Sequence, residues 1–252
     1  MKTAIITGAS AGLGLEFVRQ LEEYFPDVEQ VWLVARNEDK LRQAASLLKR
    51  AQGKIFSLDL CDPSRLEQLE NALERERPDV VLLVNNAGCG VLGNIGETEW
   101  MDQTRMVDLN IRALTGVSAL TVPYMYRGGH IINVSSISSF CPNPRMTVYR
   151  ASKAYVSAFS RGLGEELKYK GISVTSVCSG PMATEFLDKA HITGNSKTFE
   201  RLPYCEPAAV VRGSYAAAQK GRGVYTPRAF YKLYRVVAKL LPQRLMILFT
   251  KT

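Results

Sequence analysis

Residues 7–14 read Thr-Gly-Ala-Ser-Ala-Gly-Leu-Gly and follow directly on the first apolar run of the chain. Helical spacing begins near Gly12, so the three glycines lie in a turn between a strand and a helix. Glycine lacks a Cβ atom, which permits a tight turn and lets a pyrophosphate approach bare backbone. The amino end of the helix offers unpaired N–H groups and a positive dipole end to that anion. The stretch predicts a dinucleotide-binding turn, although its GxxxGxG spacing differs from the GxGxxG fingerprint.

Short apolar runs rich in Val and Ile alternate with segments of helical spacing. Strands are predicted at residues 3–7, 31–35, 54–58, 80–85, 130–135, 172–178 and 223–226. Helices are predicted at about residues 12–24, 38–50, 63–77, 97–126 and 148–170, the third of them capped by Asp62. This alternation favours parallel strands joined by right-handed crossovers. We therefore predict an α/β protein with a single doubly wound Rossmann-type domain, a mostly parallel seven-stranded sheet and helices on both faces.

The charge of the chain is distributed unevenly. Its 252 residues include 32 Lys or Arg and 24 Asp or Glu, a formal net charge of +8. All of the acidic residues lie at or before Glu206, so residues 1–206 carry −1 and residues 207–252 carry +9. A nucleic-acid-binding protein more often spreads basic residues over its recognition face, so we expect no nucleic-acid partner.

Residues 228–252 predict a basic amphipathic extension beyond a catalytic domain of residues 1–227. Arg228, Lys232, Arg235 and Lys239 are spaced 4, 3 and 4 apart, which places them on one stripe of a helix. The apolar residues of this segment fall largely away from the stripe, and residues 245–249 form a short apolar run. One interpretation is peripheral attachment to anionic lipid, or docking of an acidic acyl carrier or acyl-CoA. The other is packing of the apolar face on the body or on a sister subunit.

Cysteine usage and hydropathy indicate a reducing compartment. The five cysteines form no CxxC pair and only two histidines are present, so no metal site is expected. No signal peptide precedes the first apolar run, and no apolar stretch reaches the roughly 18 residues that a membrane span needs. We expect a cytoplasmic protein whose membrane contact, if it has any, is peripheral.

The end of the predicted second strand determines which dinucleotide is expected. It reads Leu33-Val34-Ala35-Arg36, with no carboxylate before Glu38. A Rossmann domain selective for NAD usually places Asp or Glu there to bond the ribose 2′-OH. Arg36 would instead pair with the 2′-phosphate of NADP, so NADP(H) is the predicted cofactor. A merely solvated arginine at a helix start is the alternative.

Four further features follow in order: Asn-Asn-Ala-Gly at residues 85–88, Asn110, Ser136, and the Tyr149-x-x-x-Lys153 pair. Residues four apart share one face of a helix. An ammonium beside a phenol favours the phenolate and lowers a pKa of about 10, so Tyr149 could act as a general acid or base. Ser136 ends a strand, at the edge of the sheet where doubly wound folds bind ligands, and could hydrogen-bond a substrate oxygen.

With these motifs in this order, residues 3 to about 184 closely resemble the short-chain dehydrogenase/reductase family. The resemblance implies that Tyr149 donates a proton to a carbonyl oxygen and that Ser136 orients that carbonyl. It also implies that Lys153 lowers the Tyr149 pKa and bonds the nicotinamide ribose, and that Asn110 holds a water linking Lys153 to solvent. The hydride belongs to the cofactor.

The resemblance further implies the cofactor contacts. Asp59 would contact adenine, and Asn86 would support the sheet and the cofactor floor. Thr184 would reach the nicotinamide carboxamide from a PGxxxT-like loop, in which Ser179 replaces the first proline. The expected cofactor-binding residues are Gly8, Ser10, Gly12, Leu13, Gly14, Arg36, Asp59, Leu60, Asn86, Ala87, Gly88, Tyr149, Lys153, Pro181 and Thr184.

The loops that follow strands four to six predict an apolar substrate pocket. Its expected residues are Val91, Leu92, Phe140, Met146, Met182, Phe186, Leu187 and Phe199. The predicted function is NADPH-dependent reduction of a ketone, reversibly, on a bulky hydrophobic substrate such as a steroid, fatty-acyl or xenobiotic carbonyl. The alternatives are a 3-oxoacyl thioester reductase and a non-catalytic dinucleotide-sensing scaffold. The resemblance also implies a homodimer or homotetramer formed through the helices after strands four and five.

Overall fold

The strands of the computed structural model form one sheet. The model describes residues 1–250, apart from the side chains of residues 197, 249 and 250; Lys251, which counts toward the basic tail, lies outside the described residues. The strands are β1 (Lys2–Thr7), β2 (Gln30–Ala35), β3 (Gln52–Ser57), β4 (Asp79–Asn85), β5 (His130–Val134), β6 (Ser173–Val177) and β7 (Val224–Tyr225). Their order is β3-β2-β1-β4-β5-β6-β7, and every neighbouring pair is parallel. The predicted doubly wound sheet is confirmed, and it is parallel throughout. The strand order reverses between β1 and β4, which is where such sheets form their ligand crevice.

The helices connect these strands in the predicted alternation. They are α1 (Gly12–Tyr24), α2 (Glu38–Ala45), α3 (Pro63–Glu76), α4 (Trp100–Val107), α5 (Leu114–Thr121), α6 (Thr147–Leu167), α7 (Glu185–Lys189), α8 (Lys197–Arg201), α9 (Pro207–Gln219), α10 (Ala229–Leu240) and α11 (Gln243–Thr250). A π-helical segment (Asp108–Ala113) joins α4 to α5, and 3-10 turns occupy Val122–Tyr124, Ile137–Phe140 and Lys168–Lys170. The single helix or pair expected over residues 97–126 is therefore two helices joined by a wider turn.

Two helix ends show how side chains set the boundaries. Asp62 caps α3 as predicted, because its carboxylate accepts a hydrogen bond from the Ser64 amide at 2.9 Å. Helix α2 ends at Ala45, five residues before the predicted end. The Glu22 carboxylate of α1 accepts the backbone N–H groups of residues 49, 50 and 51, which would otherwise continue the helix, and so leads the chain into β3.

The sheet is buried on both faces. One apolar cluster packs helices α1, α2 and α9 against it through residues such as Phe17, Leu41 and Tyr215. A second cluster packs α3, α5 and α6 on the opposite face, through residues such as Leu69 and Leu167. A parallel sheet covered on both faces explains why its strands read as continuous apolar runs instead of alternating ones.

The C-terminal helix α10 packs on the body through its tyrosines. Tyr231 is fully buried, and its hydroxyl donates to the Pro203 carbonyl at 2.7 Å. A side chain at Gly180 would overlap the Tyr231 ring, so the helix lies directly on the loop after β6. The Tyr234 ring lies 6.0 Å from that of Phe140, between ring centroids. These contacts support packing for one face of the extension. Within residues 1–250, no helix is long and apolar enough to cross a membrane.

Candidate active site

One cleft of about 500 Å³ runs along the carboxyl ends of the strands and brings most of the predicted site residues together. Gly8 and Arg36 line it near β1 and β2, and Ser136, Tyr149 and Lys153 line it near β5 and α6. Ser10, Gly12, Leu13, Asp59, Leu60, Asn86, Ala87, Gly88, Pro181 and Thr184 also line it. Of the predicted site residues, Gly14 and Asn110 are set back from the cleft, where they support its wall.

The glycine turn has the backbone that its sequence predicts. Gly8 and Gly12 have φ angles of 67° and 53°, which side-chain-bearing residues rarely adopt. A side chain at Gly14 would overlap the Gly8 carbonyl oxygen, so this glycine permits close packing of helix on turn. Ala11 precedes α1 and has no polar side chain to cap it, which leaves the first N–H groups of the helix for an anion.

Thr7 and Asn86 tie this turn to the end of β4. The Thr7 hydroxyl accepts hydrogen bonds from the amides of Asn86 and Ala87 at 3.0 and 3.1 Å, and donates to the Val84 carbonyl at 3.3 Å. The side-chain amide of Asn86 (Nδ2) donates to the backbone carbonyls of Thr7 and Gly8 at 3.1 and 3.3 Å. Thr7, which the sequence reasoning did not select as a site residue, therefore holds together the two strand ends that form the cleft floor.

The end of the cleft near β2 and α2 is lined by cationic side chains. Arg36 is exposed there and lines the cleft together with Lys40 and Arg105, neither of which was predicted from the sequence. Lys40 lies on α2, and its ammonium is 3.5 Å from the Glu185 carboxylate. The exposed Arg36 guanidinium can form two parallel hydrogen bonds to a phosphate group.

Asp59, the residue expected to contact adenine, is already engaged within the protein. Its carboxylate pairs with the Arg105 guanidinium at 3.0 Å and accepts the Cys61 amide at 3.0 Å. Burial opposes ionisation of Asp59, but the Cys61 amide and the Arg105 guanidinium together lower the pKa of this carboxyl. The ionised side chain fixes Arg105 at the cleft wall.

Ser136, Tyr149 and Lys153 form the buried centre of the site. Tyr149 and Lys153 lie one turn apart on α6, and the Tyr149 hydroxyl lies close to that of Ser136. The Lys153 ammonium donates to the Val134 carbonyl at 2.9 Å and lies 5.8 Å from the centroid of the Tyr149 ring. The hydroxyl of Ser136 accepts the Ser138 amide at 3.1 Å, which fixes the position of its oxygen.

Burial controls the protonation of this pair. It raises the pKa of Tyr149 to about 12, although the neighbouring Ser136 hydroxyl acts in the opposite direction. Burial also lowers the pKa of Lys153 to about 8. The expected lowering of the Tyr149 pKa is thus wrong in its net direction, because the loss of hydration outweighs the opposing effects of Ser136 and Arg150. At neutral pH Tyr149 carries its proton, the state that a proton donor requires.

Asn110 lies in the π-helical segment, with all of its amide hydrogen bonds directed into the protein. Its Nδ2 donates to the Cys89 carbonyl and the Ser152 hydroxyl, each at 2.9 Å, and its Oδ1 accepts the Cys89 amide at 2.9 Å. A Cβ atom at Gly88 would lie 3.0 Å from this oxygen and 3.3 Å from the Lys153 ammonium. Asn110 therefore positions the Gly88–Cys89 loop beside Lys153; its water-holding role stays a prediction.

The substrate end of the cleft is apolar, and its lining residues differ in part from those predicted. Met146, Met182, Phe186, Leu187 and Phe199 line it as expected, together with Leu202, which was not selected. Val91 and Leu92 are not among the cleft-lining residues; they pack in an apolar cluster with Met106 and Ile192, and the Leu92 amide donates to the Ala190 carbonyl at 2.9 Å. Phe140 packs on Tyr234 of α10 instead of facing substrate.

Arg150, inside the Tyr-x-x-x-Lys motif, is a further residue that the sequence did not single out. It lines the cleft, its guanidinium donates to the Cys141 carbonyl at 2.7 Å, and the Tyr234 hydroxyl lies beside that guanidinium. Because the middle positions of that motif admit many residue types, only the folded C-terminal helix reveals its partner.

Comparisons with known proteins agree with this geometry. Residues 2–193 match the short chain dehydrogenase family. An uncharacterised oxidoreductase of Staphylococcus epidermidis is 32% identical over 185 residues, 73% of this chain and 79% of that protein. A short-chain dehydrogenase of Sphingobium yanoikuyae, solved with NADPH, has a TM-score of 0.78 and 26% identity, covering 96% of this chain and 97% of its own. A bulky-bulky ketone specific alcohol dehydrogenase of Comamonas testosteroni has a TM-score of 0.76 and 27% identity, covering 98% and 94%. The chain therefore belongs to the short-chain dehydrogenase family and is an oxidoreductase.

Proposed function

We propose that this enzyme uses NADP(H) to reduce a bulky hydrophobic ketone, and to oxidise the matching secondary alcohol in the reverse direction. The observation that carries the proposal is the placement of the buried Tyr149–Ser136 hydroxyl pair in the same cleft as the glycine turn, beneath an apolar wall. A dinucleotide and a hydrophobic carbonyl could therefore meet at one protonated phenol.

The residues present fit NADP(H). Gly8 and Gly12 adopt the backbone that opens the turn to a pyrophosphate, and the uncapped amino end of α1 faces the same space. Arg36 lines the same cleft, in the position that an NAD-selective domain gives to a carboxylate, which supports pairing of its guanidinium with a 2′-phosphate. The Sphingobium relative was solved with NADPH, which supports the same cofactor here.

The chain's own groups supply positioning and a proton. When bound, the nicotinamide cofactor supplies the hydride for the carbonyl carbon. Ser136 hydrogen-bonds the carbonyl oxygen and orients it toward the Tyr149 hydroxyl. Tyr149 transfers its proton to that oxygen as negative charge develops there. The Lys153 ammonium, in its charged form, stabilises the phenolate that this transfer leaves behind.

The substrate class follows from the apolar wall. Met146, Phe186, Leu187, Phe199 and Leu202 surround the end of the cleft beyond Tyr149, and the Phe186 ring lies 5.7 Å from that of Tyr149. This wall suits apolar groups on both sides of a carbonyl. The Comamonas relative is specific for bulky-bulky ketones, which supports the same substrate class for this enzyme.

We also propose a homodimer or homotetramer. Helix α4, which follows strand β4, exposes Trp100, Met101 and Val107, with 70%, 59% and 42% of each residue accessible. Adjacent large apolar side chains of this kind favour burial against a sister subunit. Light scattering coupled to gel filtration measures the assembly, and a monomer at micromolar concentration contradicts this proposal.

A panel assay tests the reaction itself. NADPH oxidation is followed with steroid ketones, 3-oxoacyl thioesters and small aromatic ketones, and each rate is repeated with NADH. The proposal expects turnover of bulky hydrophobic ketones and a preference for NADPH. Turnover of thioesters alone favours the 3-oxoacyl reductase, and tight NADPH binding without any turnover favours the dinucleotide sensor.

A further inference from the structure

The C-terminal helix α10 has three distinct faces. Tyr231 and Tyr234, three residues apart, form the face that packs on the body. Arg228, Lys232, Arg235 and Lys239 form a basic stripe beside it. Phe230, Leu233, Val236 and Leu240, spaced 3, 3 and 4 apart, form a third stripe that is apolar and exposed. The tyrosine face packs the helix on the body, and this packing leaves the exposed apolar stripe unexplained.

The exposed apolar stripe is large and continues into the next helix. Its four side chains belong to residues that are between 52% and 78% accessible. Leu245 and Leu248 of α11 are 47% and 62% accessible and extend the apolar surface beyond Pro242. Contiguous exposure of this kind is uncommon in a monomeric soluble protein and marks an interaction site.

We propose that α10 and α11 bind this enzyme to the surface of a membrane that contains anionic lipid. The apolar stripe would enter the boundary between headgroups and acyl chains, and the neighbouring basic stripe would lie among the phosphates. The charge of the segment fits this partner, since residues 207–252 contain nine basic and no acidic residues. Each ammonium or guanidinium would gain attraction without an opposing carboxylate in the same segment.

The charge of the segment also disfavours a second copy of this chain as the partner that covers the exposed apolar stripe. Pairing two α10 helices by their apolar stripes would bring two basic stripes together, and no carboxylate of the segment could offset the repulsion. An anionic bilayer covers the apolar stripe and neutralises the basic one in a single contact.

The packed face of α10 gives this docking a consequence for the site. It lies on Gly180 and Phe140, which belong to the loop after β6 and the 3-10 turn after β5. Other residues of these two segments, Ser138 and Met182 among them, line the cleft. A lipid-bound α10 therefore holds the substrate end of the cleft near the bilayer surface, where hydrophobic carbonyl compounds accumulate.

Vesicle co-sedimentation of the full chain tests the proposal. Vesicles of phosphatidylcholine alone are compared with vesicles that hold about a third phosphatidylglycerol. We expect binding to the anionic vesicles at least about tenfold tighter, and weaker at about 1 M salt, where the Debye length falls to about 3 Å. Equal binding to both vesicle types, or binding to neither, overturns the proposal.

Matched variants distinguish the contribution of each stripe to vesicle binding from a general effect of net charge or hydropathy. Lys232→Glu with Lys239→Glu is compared with Lys49→Glu with Arg161→Glu, which changes net charge equally at exposed positions of the body. Leu233→Ser is compared with Ile95→Ser, since both residues are 64% accessible. We expect the two tail variants to lose about tenfold or more in vesicle affinity and the two body variants to retain it.

Two further readouts keep the outcomes distinct. Circular dichroism and NADPH binding establish that each variant is folded. Gel filtration shows whether Leu233→Ser changes the subunit count: a smaller assembly with vesicle affinity unchanged would make the stripe an interface between copies and overturn the proposal. Because these measurements use no carbonyl substrate, they do not depend on the proposed reaction.

Discussion

The guanidinium of Arg150 on the active-site helix α6 lies beside the hydroxyl of Tyr234 on the C-terminal helix α10. The same guanidinium donates to the Cys141 carbonyl, in the loop that follows the Ser136 turn. Arg150 is directly preceded by Tyr149, so the C-terminal helix is connected to the proton donor through one side chain. The extension thus supports the active site as well as presenting an exposed surface.

Tyr234→Phe removes this hydroxyl and keeps the ring that packs on Phe140. We expect a loss of about 1–2 kcal/mol in the free energy of unfolding, because a partly buried guanidinium loses the polar oxygen beside it. We also expect kcat/KM to fall several-fold, because the Cys141 loop is held less firmly. Thermal unfolding and steady-state kinetics measure both effects. Tyr126→Phe, at a residue 62% accessible, is the control, and equal behaviour of the two variants would leave Tyr234 without a positioning role.

Tyr149→Phe tests the proton donor. Without the phenol hydroxyl no side-chain proton reaches the carbonyl oxygen, so turnover should fall by about 10² to 10⁴. NADPH affinity, measured by fluorescence titration, should change little, because the glycine turn and Arg36 remain. The neighbouring change Thr147→Ala, on the same helix, serves as the control for folding. Near-normal turnover in Tyr149→Phe would contradict the assignment.

Arg36→Ala tests the choice of dinucleotide. Loss of the guanidinium removes the charge-assisted hydrogen bonds to a 2′-phosphate, so KM for NADPH should rise by about ten- to a hundredfold. KM for NADH should stay within about twofold, since NADH has no such phosphate. Arg42→Ala is a suitable control, because Arg42 lies on α2, pairs with Glu38 and is not among the cleft-lining residues. A parallel rise in both KM values would assign Arg36 a general structural role.

The parts of the site that could be predicted from sequence are those set by short spacing. The glycine turn needs a strand and a helix on either side of residues 8–14, and Tyr149 and Lys153 need only one turn of helix between them. The parallel sheet then places Ser136 beside them, because the carboxyl ends of parallel strands share one edge. These features depend on local geometry and strand order, which apolar periodicity reveals.

The residues that sequence reasoning missed or misplaced depend on contacts between distant segments. Arg105 reaches Asp59 across 46 positions, and Arg150 meets Tyr234 only after α10 has folded back. Phe140 was expected in the substrate pocket because of its loop, but packing on Tyr234 turns it away. The net upward shift of the Tyr149 pKa likewise reflects burial, which spacing along a helix does not reveal.

Lys153 provides the last prediction, which concerns stability and pH. Burial lowers its pKa from the ordinary value near 10.5 to about 8 in the folded protein. Between these two values the unfolded chain binds more protons than the folded one, so the contribution of Lys153 to the free energy of unfolding rises with pH and is complete above about 10.5. Below pH 8 the buried ammonium costs stability, by an amount on the order of 3–4 kcal/mol for a shift of this size.

Lys153→Met removes this titration while filling a similar volume. Relative to the wild type, the free energy of unfolding of the variant should therefore be highest at neutral pH. As pH rises from 8 to 10.5, the free energy of unfolding of the wild type should increase relative to that of the variant. Urea unfolding at several pH values measures that difference, and other ionisable groups cancel because they are common to both proteins. Turnover should fall in the variant, since no cation remains to stabilise the Tyr149 phenolate. If the difference in the free energy of unfolding does not vary over this range, Lys153 has an ordinary pKa in the folded protein, and its buried positive charge does not lower the free energy of unfolding.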